Sequence, residues 1–154
     1  MGQANGRKSI FITGAASGMG LETARLFHSK GWFVGGYDVN GAGLAALEKE
    51  LGADNCIVAK LDVTDKEAYD AAVASFGKAT GGKMDLLYNN AGSGAGGLFA
   101  DMDFVENMRV VQVNFIGVLN GIHAALPLLK ATRRSSMRTL KRSMTTTRSR
   151  PNRS

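Results

Sequence analysis

The chain has 154 residues, a formal net charge of +6, twenty glycines, two prolines and one cysteine. One domain is expected at this length, and a single cysteine excludes a disulfide framework or a cysteine-based zinc cluster and suits a reducing, cytoplasmic setting. An apolar share of 44% excludes wholesale disorder, and the best apolar run, residues 115–129, is too short for a membrane span and carries Asn120, His123 and Pro127, so a soluble protein is expected.

Residues 9–13 form a short apolar run that ends in a glycine-rich turn, which predicts a buried strand. Helical spacing through Leu21, Ala24 and Leu26-Phe27 predicts a helix over 20–29, stopped at Lys30-Gly31. A second strand follows at 32–38, then a helix at 44–51 with Gly52 as its terminator. A third strand is expected at 57–61, followed by a helix capped by Thr64 or Asp65 and broken at Gly81-Gly82. The fourth strand is 84–88, with a loop over 89–97. The strongest helical signal is 101–129, where Phe104, Met108, Val111, Phe115, Val118, Ile122 and Ala125 recur at steps of four and three. A second apolar set (Val110, Val113, Leu119, Leu126) predicts cover on more than one side of that helix. Strands alternating with helices predict an α/β fold: a partial, doubly wound Rossmann sheet of about four parallel strands with right-handed crossovers.

Charge divides the chain at Lys130. Residues 1–129 hold ten basic and thirteen acidic residues, whereas 130–154 hold nine basic residues, no acid and ten Ser or Thr. All twenty glycines precede the boundary. The expected organisation is therefore a globular, incomplete α/β domain at 1–129 and a disordered basic tail at 130–154. So abrupt a switch, with no linker, also predicts a frameshift, mis-splice or faulty gene model near codon 131. Nine positive charges allow a nucleic-acid or anionic-membrane reading of the tail. Against it, the tail has no aromatic residue for base stacking and no sustained amphipathic face.

The chemistry concentrates in the turn Thr13-Gly14-Ala15-Ala16-Ser17-Gly18-Met19-Gly20. Glycines between a strand and a helix let backbone amides approach a pyrophosphate, and the helix N-terminus adds positive partial charge. Gly14, Ser17, Gly18, Met19 and Gly20 are the candidate contacts. Asp38 closes the second strand 18 residues beyond Gly20. A carboxylate there accepts from adenosine ribose hydroxyls and repels a 2′-phosphate, so NAD is expected over NADP. No His, Cys and carboxylate cluster at metal-ligand spacing is present in the sequence, and no metal is expected.

With Asp62-Val63 after the third strand, Asn89-Asn90-Ala91-Gly92 after the fourth, and Asn114 in the long helix, the ordered set resembles the short-chain dehydrogenase/reductase family over about residues 7–130. The resemblance implies Asp62 and Val63 near the adenine ring, and Asn90, Ala91 and Gly92 beside the cofactor, bracing the central strands. It implies for Asn114 a helix-kinking backbone that positions a water in the family's proton relay. It also implies hydride transfer between a nicotinamide and an alcohol or carbonyl, using a Ser and a Tyr-x-x-x-Lys pair. This chain has only Tyr37, Tyr69 and Tyr88, each followed four residues later by Gly41, Val73 or Gly92. Of the family's catalytic set only the remnant Asn114 is present, and the chain is expected to be catalytically incompetent. A non-catalytic NAD-binding or partner-assembly protein is the alternative. Loss of the family's usual cover predicts homo-oligomer formation or aggregation through the helix at 101–129.

Overall fold

A computed structural model describes residues 2–94 and 96–146, side chains excepted at Phe99 and 134–146. Four parallel strands, β1 (Ser9–Thr13), β2 (Phe33–Asp38), β3 (Cys56–Lys60) and β4 (Leu86–Tyr88), form one sheet in the order β3-β2-β1-β4. Helices α1 (Gly18–Ser29), α2 (Gly41–Leu51) and α3 (Lys66–Ala79) make the crossovers. A short 3-10 turn (Phe99–Asp101) leads to α4 (Phe104–Val111), a π turn (Gln112–Ile116) and α5 (Gly117–Thr146). The chain winds outward from β1 in one direction through β2 and β3, then in the other through β4. The crevice beyond the carboxyl ends of β1 and β4 is thus a topological switch point, where doubly wound sheets bind ligands.

Side chains of a strand alternate between faces, and β1 divides the core accordingly. Phe11 joins Phe33, Tyr37, Tyr69 and Phe76 in the layer shared with α3 and α5, where Phe11 stacks on Tyr37 at 4.0 Å. Ile10 and Ile12 join Val34, Ala24 and Leu47 in the layer shared with α1 and α2. Burial raises the Tyr37 and Tyr69 hydroxyls above the ordinary tyrosine range, and the Tyr37 hydroxyl has no hydrogen-bond partner among the described residues. The same cause pushes the Cys56 thiol up to about 11, so it stays a neutral core group.

The first strand lies where the periodicity puts it, and the other three shift by one or two residues. Of the two cap candidates for α3, Asp65 serves: its carboxylate accepts from the Ala68 amide at 2.9 Å. Gly52 ends α2 at φ 84°, in the left-handed region that favours glycine.

The long helical segment departs most from expectation. It begins at Phe104, not 101, because Asp103 accepts from the Val105 amide and caps it there. The stripe at four-and-three spacing is largely an outer face, with Phe104 73%, Phe115 59% and Ile122 48% exposed. Of the stripe only Ala125 is buried; the other buried positions are Gly117, Asn120 and Gly121. Small residues win the inward face because the backbone lies so close to its neighbours. A Cβ on Gly117 would sit 2.6 Å from Val63 Cγ2, and one on Gly121 would sit 2.5 Å from the Tyr69 hydroxyl. Asn120 spans the remaining gap, donating from Nδ2 to the Val63 carbonyl at 3.0 Å.

Two further observations concern length. By length and composition alone, the 30 residues Phe104–Arg133 are sufficient to cross a membrane, whereas the apolar run 115–129 is not. The inner face of that stretch nonetheless packs on α3 and the sheet. The helix also passes the compositional boundary at Lys130 and continues to Thr146. No Gly or Pro occurs between 130 and 146, and Lys, Arg, Ala, Met and Leu all suit a helix. Thr132, beyond the boundary, accepts through its hydroxyl from the Met84 amide at 3.0 Å. Of the expected disordered tail, 147–154 lie outside the described residues.

Candidate functional site

At the switch point lies a cleft of about 830 Å³. Its floor is the turn from β1 into α1. Gly14 and Gly18 adopt φ 69° and 51°, which a side chain rarely tolerates, and Gly18 has open space where its Cβ would be. Gly20 packs behind the loop: a Cβ there would collide with the Gly14 carbonyl oxygen and sit 2.7 Å from Asn90 Nδ2. Ser17 takes the N-cap position of α1 in extended conformation, and its side chain makes no capping bond. Gly18 and Met19 of the first turn line the cleft, and Ser17 does not cap their helix, an arrangement that suits an anion. Ser17 and Met19 also line the cleft, with Met19 74% exposed.

The ends of β1 and β4 are joined by side-chain bonds. Thr13 Oγ1 accepts from the Asn90 and Ala91 amides, each at 3.1 Å. Asn90 Nδ2 donates back to the Thr13 and Gly14 carbonyls at 3.1 and 3.2 Å. Asn90, Ala91 and Gly92 thereby form one wall of the cleft. Asn114 lies in the π turn and grips the same segment from outside, donating to the Ser93 carbonyl at 2.8 Å and accepting from the Ser93 amide at 2.9 Å. It does not line the cleft itself.

The opposite wall carries both acids. Asp38 closes β2 and accepts from the Ala16 amide at 3.0 Å and the Asn40 amide at 2.9 Å. Asp62, with Val63, lines the cleft after β3. The Thr64 amide and hydroxyl both donate to Asp62 Oδ1 and hold its carboxyl below the usual carboxylate range; the Arg109 charge pulls the same way. Asp62 is therefore ionised at neutral pH, in a turn of its own and not as the cap of α3.

One wall is not foreseen in the sequence. Val105, Met108, Arg109, Gln112 and Val113 of α4 and the π turn also line the cleft. Their spacing of three and four is a signal of one shared helix face, but only the topology shows which face meets the cleft. No tyrosine or lysine lines the cleft among the described residues.

The sequence and fold match known proteins. The short chain dehydrogenase family model matches residues 8–139. Serine 3-dehydrogenase of Agrobacterium fabrum is 38% identical over 122 residues, covering 79% of this chain and 48% of that protein. Momilactone A synthase of Oryza sativa is 36% identical over 136 residues, covering 84% and 48%. Among solved structures, a short chain dehydrogenase/reductase of Burkholderia phymatum in complex with NAD superposes with a TM-score of 0.76 at 33% identity, over 84% of this chain and 46% of that one. A 3-ketoacyl-(acyl-carrier-protein) reductase of Brucella melitensis complexed with NADH gives 0.79 at 32%, over 84% and 53%. The chain spans about half the length of the curated relatives it matches. With ordered motifs, sheet order and family match all falling on the same residues, the chain belongs to the short chain dehydrogenase family.

Proposed function

We propose that this chain is the dinucleotide-binding portion of a nicotinamide-dependent oxidoreductase and that it takes NAD in preference to NADP. The observation carrying the reading is the pairing across one cleft of the glycine turn at the α1 N-terminus with the Asp38 carboxylate. The residues fit the group. The start of α1 offers first-turn amides without a side-chain cap to a pyrophosphate, Asp38 has lone pairs left for ribose hydroxyls, and Asp62 with Val63 forms a partly apolar slot for a purine. Relatives solved with NAD and NADH support the same class of ligand. When bound, the nicotinamide would accept or supply hydride. Proton transfer to or from an alcohol or carbonyl needs a Tyr and a Lys contributed from outside these 154 residues, so binding without turnover is the reading for the chain as it stands.

Calorimetry with NAD and NADP tests this. NAD is expected to bind at least about ten-fold more tightly, since a 2′-phosphate beside Asp38 places like charges together. Equal or tighter binding of NADP would overturn the preference, and no binding of either would overturn the reading.

A second property is proposed for the outer face of α4 and α5: self-association of the chain. Phe104, Val111, Phe115, Leu119, Ile122 and Leu126 are each more than 40% exposed along one continuous helical row. Light scattering is expected to show a concentration-dependent dimer or larger species, reduced to monomer by Phe115→Glu with Ile122→Glu. A monomer at every concentration for the unaltered chain would sink this idea.

A further inference from the structure

Asp38 is doubly engaged before any ligand arrives. Its Oδ2 accepts from the Ala16 amide in the middle of the glycine turn, at 3.0 Å, and its Oδ1 accepts from the Asn40 amide at 2.9 Å. Two more bonds tie its surroundings together: the Ala15 amide donates to the Tyr37 carbonyl at 3.2 Å, and the Leu61 amide donates to the Asp38 carbonyl at 3.0 Å. Ala16 is 9% exposed, so its amide has little water to fall back on. On the β1 side of Ala16 the turn is also held by Asn90 Nδ2 at the Gly14 carbonyl; on the other side, toward α1, it has less to fix it. Gly14 and Gly18 are glycines at positive φ, and Ser17 gives the helix no side-chain cap.

From this geometry we infer that Asp38 is a positioning residue for the phosphate turn as well as a partner for the adenosine ribose. Its carboxylate clasps the Ala16 amide and holds the first-turn amides of α1 in their anion-binding arrangement. A charge-assisted bond from a backbone amide to a carboxylate is among the stronger hydrogen bonds, and a carboxylate near a helix N-terminus is favoured by the dipole. The inference rests on the NAD-binding reading for its ligand test but not for its test on the free protein.

The two roles separate by sign. A ligand whose adenosine ribose lacks both hydroxyls, 2′,3′-dideoxyadenosine NAD, has nothing to offer Asp38 directly. If Asp38 acts only through the ribose, Asp38→Ala leaves the affinity for this analogue unchanged. Removing a negative charge near the pyrophosphate would, if anything, improve it. The clasp requires the opposite: Asp38→Ala binds the dideoxy analogue about ten-fold more weakly than the unaltered chain does, the worth of one charge-assisted bond. Asp38→Asn, which keeps one acceptor oxygen of the same shape, falls between.

Amide hydrogen exchange of the ligand-free full chain gives the second readout. The Ala16 amide is expected to exchange about ten-fold faster or more in Asp38→Ala, while β1 amides stay protected. Equal exchange at Ala16, or dideoxy-analogue affinity that holds or improves, overturns the clasp. If the unaltered chain binds no NAD, the dinucleotide reading fails and exchange alone decides the clasp. Should Asp38→Ala not fold, Asp38→Asn is read on the same two measurements.

Discussion

Gly20→Ala is expected to weaken NAD binding by about 10- to 100-fold and to lower stability by about 1–3 kcal/mol, the usual range for an overpacked site at 1.4 kcal/mol per decade. The added methyl would run into the Gly14 carbonyl oxygen and lie 2.7 Å from Asn90 Nδ2 and 2.8 Å from the Gly14 carbonyl carbon. Two of those atoms are backbone, and the third belongs to a side chain already donating to the Thr13 and Gly14 carbonyls. None is the free end of a flexible chain. The turn itself must therefore move, and its amides move with it. Gly31→Ala separates this effect from glycine chemistry in general. Gly31 has φ 77°, open space at its Cβ, and no place in the cleft. That variant is expected to lose about 1 kcal/mol to backbone strain and to keep its affinity. Calorimetry and thermal unfolding of both variants decide the point. Affinity unchanged in Gly20→Ala would mean that the turn does not hold the ligand.

Different parts of this fold are legible in the sequence to different degrees, for physical reasons. The strands β1 and β2 are buried on both faces and appear as unbroken apolar runs. Gly14 and Asp38 stand out because a turn between strand and helix and an acid at a strand end are local features. That both face one cleft with Asp62 follows from parallel pairing: Thr13 sits beside Tyr37, and Asp38 beside Lys60. The inner face of α5 is not legible from hydrophobicity. Its closest approaches are at Gly117, Gly121 and Asn120, which score as poor core residues, while Leu119, Ile122 and Leu126 lie outward; Ala125, Leu128 and Leu129 reach the core further along. Nor does charge locate the end of α5. A run of basic and hydroxyl residues looks too polar to fold alone, yet Thr132 has a partner in Met84, 48 positions earlier, and that pairing is invisible to composition. The α4 wall of the cleft depends on where the helix is set down, which only the assembled sheet determines.

Thr13→Val is expected to cost roughly 2–4 kcal/mol, because it strands two half-buried backbone amides, and an amide left without a partner costs about 1–3 kcal/mol. Thr13 is 1% exposed at the end of β1, and its hydroxyl oxygen is the acceptor for both the Asn90 and Ala91 amides. Valine matches threonine in shape, so the packing against neighbours survives and the change isolates the hydrogen bonds. β4 has only three residues and pairs only with β1 among the described residues, so its position depends heavily on this junction. A single domain commonly has about 5–15 kcal/mol in total, which makes the loss a large share of what holds this sheet together. Thr13→Ser keeps the oxygen and is expected to lose only about 1 kcal/mol for the missing methyl. Urea unfolding followed by circular dichroism should place the midpoint of Thr13→Val well below that of Thr13→Ser, with similar slopes for both. Because Asn90 and Ala91 also line the cleft, NAD affinity should fall in the same order. If the valine and serine variants unfold together, the two amides find other partners. The joint between β1 and β4 would then rest on the strand pairing and on Asn90 Nδ2 alone.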